Sequence, residues 1–301
     1  MVRPVIVSLG LPELSAQVAA IAGDPATITL RRFPDGETYV RFETEVRGRD
    51  VVIVANLAGP DEKLAPLLWV AATAKDLGAG RIGLVAPYLP YMRQDARFQT
   101  GEGVTSRYCA RVLSSHVDWL VTVDPHLHRY GSLDEVYTIP SRVVTAAPLL
   151  AQWIARQVPA PVLIGPDAES AQWVHAVANA VNAPYAVLAK TRAGDREVRL
   201  EAPDLREYRD RAPVLIDDVI STGSTLAEAA RLVLGQGLAA PVCLAVHAVF
   251  SGQAYESLIA TGCRAVITCN TVPHLTNAID VSGPLNEGIR SLLDSSVGRR
   301  T

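Results

Sequence analysis

The sequence predicts an α/β protein made of two similar doubly wound domains, each with a parallel sheet covered by helices on both faces. Short β-branched apolar runs alternate with longer helical patterns along the whole chain, which is typical of strands that are buried on both faces. The length of 301 residues favours two domains of about 150 residues each. The segments RIGLVAPYLPYMRQD and PVCLAVHAVFSGQA, one in each half, both run a strand into a loop, and this faint repeat suggests that the two domains are alike.

The apolar runs and the periodic segments place the elements along the chain. Runs of Val, Ile, Leu and Ala bounded by turn residues indicate strands, and wider apolar spacing over longer segments indicates helices. We expect strands at Val5–Ser8, Val51–Ala55, Ile82–Ala86, Trp119–Val123, Val162–Ile164, Ala186–Ala189, Val214–Ile216, Val242–Val246 and Ala265–Thr268. We expect helices at Leu64–Ala79, Ser106–Leu113, Ala168–Val181 and Thr225–Gly235.

The region Ile139–Ala147 contains Pro and Ser residues and is the expected break between the domains. We therefore expect a first domain over residues 1–145 and a second over residues 146–301, and leave open whether the last helix packs back on the first domain. The segment Arg192–Arg211 has a different composition, because 12 of its 20 residues are charged and its apolar periodicity is poor. It is predicted to be a mobile or solvent-facing connection between two strands.

The composition is that of an ordinary soluble protein, with 49% apolar and 20% charged residues. A net charge of −3 argues against a chain that grips nucleic acid or an anionic membrane by charge alone. The cysteines form no C-x-x-C pair, so we expect reduced thiols rather than a disulfide framework or a zinc site. We see neither a signal peptide nor an apolar run near the roughly 18 residues of a membrane span. We expect a cytoplasmic protein with no nucleic-acid or membrane partner.

The segment VLIDDVISTGSTL, from Val214 to Leu226, places two aspartates between an apolar run and a polar turn. We expect the strand to end at Ile216, which puts the aspartates at its carboxyl end, where open α/β sheets bind ligands. The turn offers backbone N–H groups and hydroxyls at a helix start, which suits a phosphate, and its glycine allows close approach. Carboxylates repel phosphate but accept hydrogen bonds from a vicinal diol, so a ribose 5-phosphate unit satisfies both parts. The plainer alternative is a turn-forming Asp followed by a Ser or Thr helix cap. The candidate residues are Asp217, Asp218, Ser221, Thr222, Gly223, Ser224 and Thr225.

This segment resembles the phosphoribosyl-diphosphate (PRPP) binding motif that phosphoribosyltransferases and PRPP synthetases (ribose-phosphate diphosphokinases) share. Taken alone, it does not separate the two classes. The segment FPDGET is similar to the adenine-binding hairpin of the synthetase family, which usually serves the ATP of a neighbouring subunit. The resemblance implies that Phe33, Asp35 and Glu37 bind ATP, although D-G-E between strands is also an ordinary hairpin turn.

The segment PYLPYMRQDARF resembles the PYxxYxRQDxxF segment of the same family. By this resemblance Arg93, Gln94 and Asp95 bind ATP. We expect Arg97 to add positive charge toward the triphosphate, since a planar guanidinium suits bidentate phosphate binding. A charged surface loop is the plainer alternative, but the flanking Pro-Tyr and Tyr-Met make the match more specific than that.

Two further segments are similar to the Mg²⁺ sites of the family. VTVDPHLHRY matches its D-x-H segment, which implies that His126 is a magnesium ligand, although Mg²⁺ prefers oxygen ligands. GPDAESAQWV stands in the place of the family's P-D-x-G-G-x-x-R-A, and Asp167 matches the aspartate that helps to hold a second Mg²⁺. The chain departs from the pattern here, because Glu169 and Ser170 replace the glycine pair and Trp173 replaces the arginine.

The segment LAKTRAGDREV resembles the K-T-R start of the family's catalytic loop, in the form found in archaeal-like members. The resemblance implies that Lys190 and Arg192 are catalytic, and a spacing of two residues on a strand points both side chains the same way. HAVFSGQA and CNTVPH resemble late C-terminal segments of the family, so the resemblance spans nearly the whole chain.

The resemblance implies domains of the phosphoribosyltransferase type, the first for nucleotide and metal and the second for ribose phosphate. It implies an enzyme that transfers the β,γ-diphosphate of MgATP to the 1-hydroxyl of ribose 5-phosphate, giving PRPP and AMP for nucleotide biosynthesis. A shared adenine site further implies a homo-oligomer, either a dimer or a hexamer. Three alternatives stay open: a phosphoribosyltransferase that uses PRPP, a diphosphokinase for another sugar phosphate, and a non-catalytic regulator that associates with true synthetases.

Overall fold

The computed structural model describes residues 2–193, 197–201 and 203–294, and it confirms the α/β class with parallel sheets. Within the described residues the strands are β1 Val5–Leu9, β2 Asp24–Pro25, β3 Ile28–Arg32, β4 Thr38–Phe42, β5 Val51–Ala55, β6 Ile82–Val85, β7 Trp119–Val123, β8 Ser141–Val144, β9 Pro161–Gly165, β10 Tyr185–Val187, β11 Ala189–Ala193, β12 Glu197–Glu201, β13 Ala212–Ile220, β14 Val242–Ala248, β15 Ala265–Cys269 and β16 Asn277–Ile279. The α-helices are α1 Pro12–Ala22, α2 Asp61–Asp76, α3 Thr105–Ser114, α4 Ala147–Gln157, α5 Ala171–Ala180, α6 Ser224–Gly235, α7 Ala254–Ala260 and α8 Ser282–Asp294.

Both large sheets contain six parallel strands and follow the same path. Their strand orders are β2-β1-β5-β6-β7-β8 and β10-β9-β13-β14-β15-β16. In the first sheet β2 pairs on one side of β1, the antiparallel hairpin β3–β4 follows, and β5 then pairs on the other side of β1. In the second sheet β10, the hairpin β11–β12 and β13 follow the same path around β9. This reversal creates a switch point between β1 and β5 and another between β9 and β13, where doubly wound sheets bind ligands. The faint sequence repeat therefore corresponds to a shared topology.

The chain forms two compact units, and each has its own core. The first comprises the residues up to Thr145 together with α8, and the second comprises Ala146–Val281. In the first unit every residue of β5, β6 and β7 is buried, which explains why these strands are continuously apolar rather than alternating. The second core gathers β9, β13 and α6 around residues such as Ile164 and Leu215.

Helix α8 belongs to the first unit because one of its faces is apolar and closely fitted. Its buried large side chains recur at helical spacing and are Leu285, Ile289 and Leu292. A Cβ atom on Gly288 would lie 2.9 Å from Val121 Cγ1 and 3.1 Å from Val144 Cγ1, so the helix backbone approaches β7 and β8 at the glycine. Arg81 donates hydrogen bonds to the last carbonyls of the helix, at 3.3 Å, which satisfies groups that a helix end leaves open.

The ends of several elements differ from the sequence expectation. The expectation that the strand before the paired aspartates ends at Ile216 is wrong, because pairing with β14 continues to Ile220. The single strand expected at Ala186–Ala189 is divided, since β10 ends at Val187 and β11 begins at Ala189. The helix expected over Ala168–Val181 begins as a short 3₁₀ helix before α5.

The charged segment Arg192–Arg211 is built differently from the expected connection. Its first part belongs to the β11–β12 hairpin, and Arg206–Tyr208 forms a 3₁₀ turn. Residues 194–196 and 202 lie outside the described residues. None of the helices in the described ranges combines the length and the apolar character needed to cross a bilayer.

Candidate functional site

The polar turn after β13 has the geometry of an anion site. Gly223 adopts a left-handed φ of +69°, and a Cβ there would lie 3.2 Å from Leu258 Cγ and 3.4 Å from the Ala254 carbonyl oxygen. Only glycine fits this conformation and this space without strain. The hydroxyls of Thr222 and Ser224 are 2.9 Å apart and both residues are exposed. The turn leads into α6, whose first N–H groups and dipole favour a phosphate.

The paired aspartates lie within the last residues of β13 and are half-buried. The backbone N–H of Asp218 donates to Asp217 Oδ1 at 3.0 Å. The pKa of the Asp217 carboxyl is raised well above its ordinary value, first by burial and then by the charges of Asp218 and Asp167. The carboxylates therefore repel one another at this end of the sheet, and hydrogen bonds from hydroxyl groups or a bound cation would reduce that repulsion.

Asp167 follows β9, the strand next to β13, and caps a short 3₁₀ helix. Its Oδ1 accepts hydrogen bonds from the N–H groups of Glu169 at 3.1 Å and Ser170 at 3.2 Å. Ser170 Oγ accepts a hydrogen bond from the Asp167 N–H at 3.4 Å and donates to the Asp167 carbonyl at 2.6 Å. The Ser that replaces a family glycine thus completes a capping box, and this box fixes the orientation of the Asp167 carboxylate.

These three carboxylates lie at or just beyond the ends of adjacent strands at a switch point. Carboxylate oxygens are the ligands that Mg²⁺ prefers. The raised pKa of Asp217 arises partly from Asp167, so the two groups are close enough to interact. The acidic set at the ends of β9 and β13 therefore has the donor type that Mg²⁺ prefers, although the carboxylate oxygens of all three residues do not lie within 4.8 Å of one another.

His126 follows β7 and contacts a second histidine. His128 Nε2 lies 3.0 Å from His126 Nδ1, and the two ring centroids are 3.8 Å apart. Asp124 has a φ of +33°, a strained conformation of the kind that clusters at functional sites. The imidazole alone is a poorer match for Mg²⁺ than the carboxylates of the second unit.

The β3–β4 hairpin presents an exposed aromatic ring. Phe33 is 39% exposed, and the Arg31 guanidinium lies 4.6 Å from its ring centroid and 4.3 Å from that of Tyr39. The turn is closed by a bond from the Phe33 N–H to the Glu37 carbonyl at 2.8 Å and by Asp35 Oδ1, which accepts from the Glu37 N–H at 3.2 Å. Both acidic side chains are exposed at the tip, and the stacked Arg31 is a residue that the motif did not reveal.

The three candidates in the loop after β6 have different environments. Arg93 is exposed, whereas Gln94 Oε1 accepts a hydrogen bond from the Thr105 hydroxyl at 2.9 Å. The Asp95 side chain is only 1% exposed and pairs with Arg129 Nη1 at 2.8 Å, while its Oδ2 has no partner in the described residues. This burial favours a positioning role for Asp95. The motifs give no sign of Arg129, which joins the loop after β6 to the loop after β7 through its ion pair with Asp95.

A cavity of about 440 Å³ opens beside this loop. Arg97 and Arg107 both line it, and two guanidinium groups suit a polyphosphate. Arg107 lies on α3, outside the motif, so its place beside Arg97 follows only from the fold.

Lys190 and Arg192 lie on β11, where only their backbone belongs to the described structure. Lys190 is opposite Leu200 and Arg192 is opposite Val198 in the hairpin. Residues two apart on a strand share a face, so both candidates belong to the same face of the hairpin. Their side chains lie outside the described structure.

Comparison with known proteins identifies a family for this chain. A family model described as the N-terminal domain of ribose phosphate pyrophosphokinase matches residues 5–116, and a phosphoribosyl transferase domain model matches residues 132–282. A ribose-phosphate pyrophosphokinase of Methanopyrus kandleri is 35% identical over 283 residues, covering 93% of each chain. One of Saccharolobus solfataricus is 34% identical over 246 residues, covering 80% of this chain and 82% of the relative.

A solved structure gives the same result. The phosphoribosylpyrophosphate synthetase of Mycobacterium smegmatis superposes with a TM-score of 0.86 at 27% identity, covering 98% of this chain and all of that one. The resemblance carried by the motifs is thereby confirmed, and the chain belongs to the ribose-phosphate pyrophosphokinase (PRPP synthetase) family.

Proposed function

We propose that the protein transfers the β,γ-diphosphate of MgATP to the 1-hydroxyl of ribose 5-phosphate, giving PRPP and AMP for nucleotide biosynthesis. The observation that carries the proposal is the match of residues 5–116 to the N-terminal domain of ribose phosphate pyrophosphokinase, in the same chain as a sugar-phosphate turn. A phosphoribosyltransferase needs only the second of these parts. Family membership thus favours the synthetase over the transferase.

The second unit holds the sugar phosphate in this proposal. The turn Ser221–Thr225 binds the 5-phosphate through N–H groups and hydroxyls. Asp217 and Asp218 accept hydrogen bonds from the ribose diol, which compensates the charge that crowds the end of β13. The sugar is thereby fixed at both ends, and fixing its orientation is a main source of acceleration in such reactions.

The first unit holds the nucleotide. The Phe33 ring stacks on the adenine, and Asp35 and Glu37 at the hairpin tip accept hydrogen bonds from it. Arg93 and Gln94 contact the ATP directly, whereas Asp95 acts by holding Arg129 and the loop in place. Arg97 adds positive charge toward the triphosphate.

The metal that fits this site is Mg²⁺. Asp167, beside the paired aspartates, contributes an oxygen ligand to one ion, and His126 is proposed as a ligand of another. Bound Mg²⁺ would supply charge neutralisation to the phosphate oxygens.

Lys190 and Arg192 are proposed to stabilise the transferred group. The 1-hydroxyl oxygen forms a bond to the β-phosphorus, the bond from that phosphorus to the oxygen of AMP breaks, and the hydroxyl proton is released. Such transfers depend on positioning and on neutralising equatorial charge rather than on covalent help from the protein. Two cations on one face of the β11–β12 hairpin suit that task.

We further propose a homo-oligomer, a dimer or a hexamer, in which the adenine site is shared. The hairpin motif that resembles an adenine site serving a neighbouring subunit supports this arrangement. The proposed substrates are metabolites of the cytoplasm, so we place the protein there.

The proposed reaction is tested by incubating the protein with ATP, Mg²⁺ and a panel of sugar phosphates, with ³¹P NMR as the readout. We expect AMP and PRPP to appear together, and only with ribose 5-phosphate at a substantial rate. Equal or faster turnover of another sugar phosphate would show that the protein is a diphosphokinase for that sugar phosphate instead. Consumption of PRPP with free bases and without ATP would show that the protein is a phosphoribosyltransferase. If the protein turns over none of these substrates, the non-catalytic regulator is the remaining alternative.

A further inference from the structure

Two buried cysteines meet in the second unit, away from the residues assigned above. Cys243 lies on β14 and Cys263 follows α7, and their Sγ atoms are 3.3 Å apart with both thiols free. The N–H of Arg264 donates to the Pro241 carbonyl at 2.8 Å, which holds the two segments side by side. The other two cysteines, Cys109 and Cys269, are also buried and free.

The environment makes Cys263 the more reactive member. It is 7% exposed, whereas Cys243 is fully buried, so a small reagent meets Cys263 first. The Cys243 thiol hydrogen-bonds to it and lowers its pKa, while burial opposes this; the Thr261 oxygen lies 3.5 Å from its sulfur. The thiolate is the nucleophilic form of cysteine.

The pair is connected to the turn that is assigned to the sugar phosphate. The Thr261 hydroxyl donates to the Leu258 carbonyl at 2.6 Å, within the last turn of α7. Leu258 packs against Gly223 at the centre of the turn. The N–H of Ser251, just before α7, donates to the Ser221 carbonyl at 3.2 Å. Movement of α7 therefore reaches the turn through a packed side chain and a backbone hydrogen bond.

We propose that Cys243 and Cys263 form a reversible disulfide when the protein meets a peroxide, and that this bond shifts α7 against the turn Ser221–Thr225. A disulfide of about 2.05 Å is roughly 1.2 Å shorter than the present Sγ separation. Cys243 is fixed in β14, a central strand paired on both sides, so the end of α7 carries the displacement.

The chemistry balances with hydrogen peroxide as the oxidant. The Cys263 thiolate attacks one peroxide oxygen, the O–O bond breaks, and a sulfenic acid and hydroxide form. Cys243 then loses its proton and attacks the sulfenic sulfur, the S–O bond breaks, and hydroxide leaves. The net change is two thiols and one peroxide giving one disulfide and two waters, and a dithiol reductant reverses it.

The bond is tested on the full-length wild-type chain by intact mass and peptide mapping after mild peroxide treatment. We expect a loss of about 2 Da that maps to Cys243–Cys263 and is reversed by dithiothreitol, with Cys109 and Cys269 still reduced and alkylated once the protein is denatured. Cys263→Ser should lose this reaction, and Cys263→Ala serves if the serine variant folds poorly. A disulfide at another pair, or oxidation of all four cysteines at equal rates, would overturn the proposal.

The conformational part is tested by hydrogen exchange of peptides covering residues 221–225 and 254–261. We expect oxidation to change their exchange rates by about threefold or more in the wild type and not in Cys263→Ser. A disulfide without any such change would refute the coupling. If the proposed function is correct, we also expect oxidation to raise the KM for ribose 5-phosphate in the wild type and not in Cys263→Ser. If the protein turns over no sugar phosphate, the proposed function fails while hydrogen exchange still decides the coupling.

Discussion

The Asp217 carboxyl has a raised pKa because it is partly removed from water and is affected by the charges of Asp218 and Asp167. In the unfolded chain this group would titrate near its ordinary value, so the folded protein binds the proton more tightly than the unfolded chain does. The ionised group therefore costs stability, and the cost grows as the pH rises from the unfolded pKa through the folded one. A ligand that donates hydrogen bonds to the carboxylate removes that cost.

Asp217→Asn should therefore separate stability from activity. The amide removes the charge, so we expect the ligand-free melting temperature in EDTA to rise by about 2–5 °C at pH 7.5. The gain should shrink toward pH 4, where the wild-type carboxyl becomes neutral. Synthesis of PRPP should fall, because an amide accepts a weaker hydrogen bond from the ribose diol.

The matched control for this prediction is Asp210→Asn, which removes an exposed carboxylate of the same unit. Its melting temperature should follow the wild type across the same pH range. If Asp217→Asn is less stable than the wild type at pH 7.5, the claim that the ionised Asp217 carboxylate lowers the stability of the folded protein is wrong.

Lys190→Ala tests the assignment of the β11–β12 hairpin to catalysis. If Lys190 stabilises charge on the transferred diphosphate only in the transition state, kcat should fall by roughly 10²–10³ or more. The KM for ribose 5-phosphate should change little, because that substrate is held by other residues. Steady-state kinetics would measure both values.

Lys75→Ala is the control for the lysine variant, since Lys75 is exposed in the last turn of α2. It should leave kcat unchanged. Near-normal turnover in Lys190→Ala would overturn the assignment of the hairpin.

At the scale of elements, α8 shows how one glycine can decide where a helix lies. The apolar face of the helix is readable from the spacing of its leucines and isoleucine, but its packing partner is not. The close approach of Gly288 to Val121 and Val144 is a property of the assembled sheet. Adding a methyl group there should force the helix away from β7 and β8.

We expect Gly288→Ala to lower the free energy of unfolding by about 1–3 kcal/mol, because overpacking in a closely fitted contact is destabilising. Gly283→Ala in the same helix is the control, since a Cβ at Gly283 would meet no neighbouring atom within 4 Å. Its effect should stay below about 1 kcal/mol and favour stability, as alanine is the better helix former. Urea denaturation would measure both, and equal destabilisation by the two variants would refute the packing argument.

How far the sequence predicts an element depends on where its contacts come from. The paired aspartates and their turn could be recognised because every feature lies within a short contiguous stretch. The length of β13 could not, because its last residues are held by pairing with β14. Likewise Asp95 reads as a nucleotide contact in its motif, and only the fold shows that it is buried against Arg129, 34 residues away. The repeated strand order was hinted at by two similar segments, yet the matching hairpins became visible only in the topology.

At the scale of the whole molecule, the repeated topology gives both units a hairpin at the same point of the chain path. One hairpin carries the proposed adenine residues and the other carries the proposed catalytic cations. If the adenine site is shared, the two hairpins of one active site come from different subunits. Two variants with one defective hairpin each should then complement one another.

The complementation experiment uses Phe33→Ala and Lys190→Ala chains, co-expressed with different affinity tags and purified through both. In a mixed pair, one site combines both defects and the other receives an intact Phe33 from one chain and an intact Lys190 from the other. We therefore expect about half of the wild-type turnover per pair at low ATP, although each variant alone is nearly inactive. A pair of Phe33→Ala with the double variant should stay inactive, since no site is complete. Inactivity of the first pair would place both hairpins of each site in a single chain and refute the shared adenine site, while leaving the proposed reaction untouched.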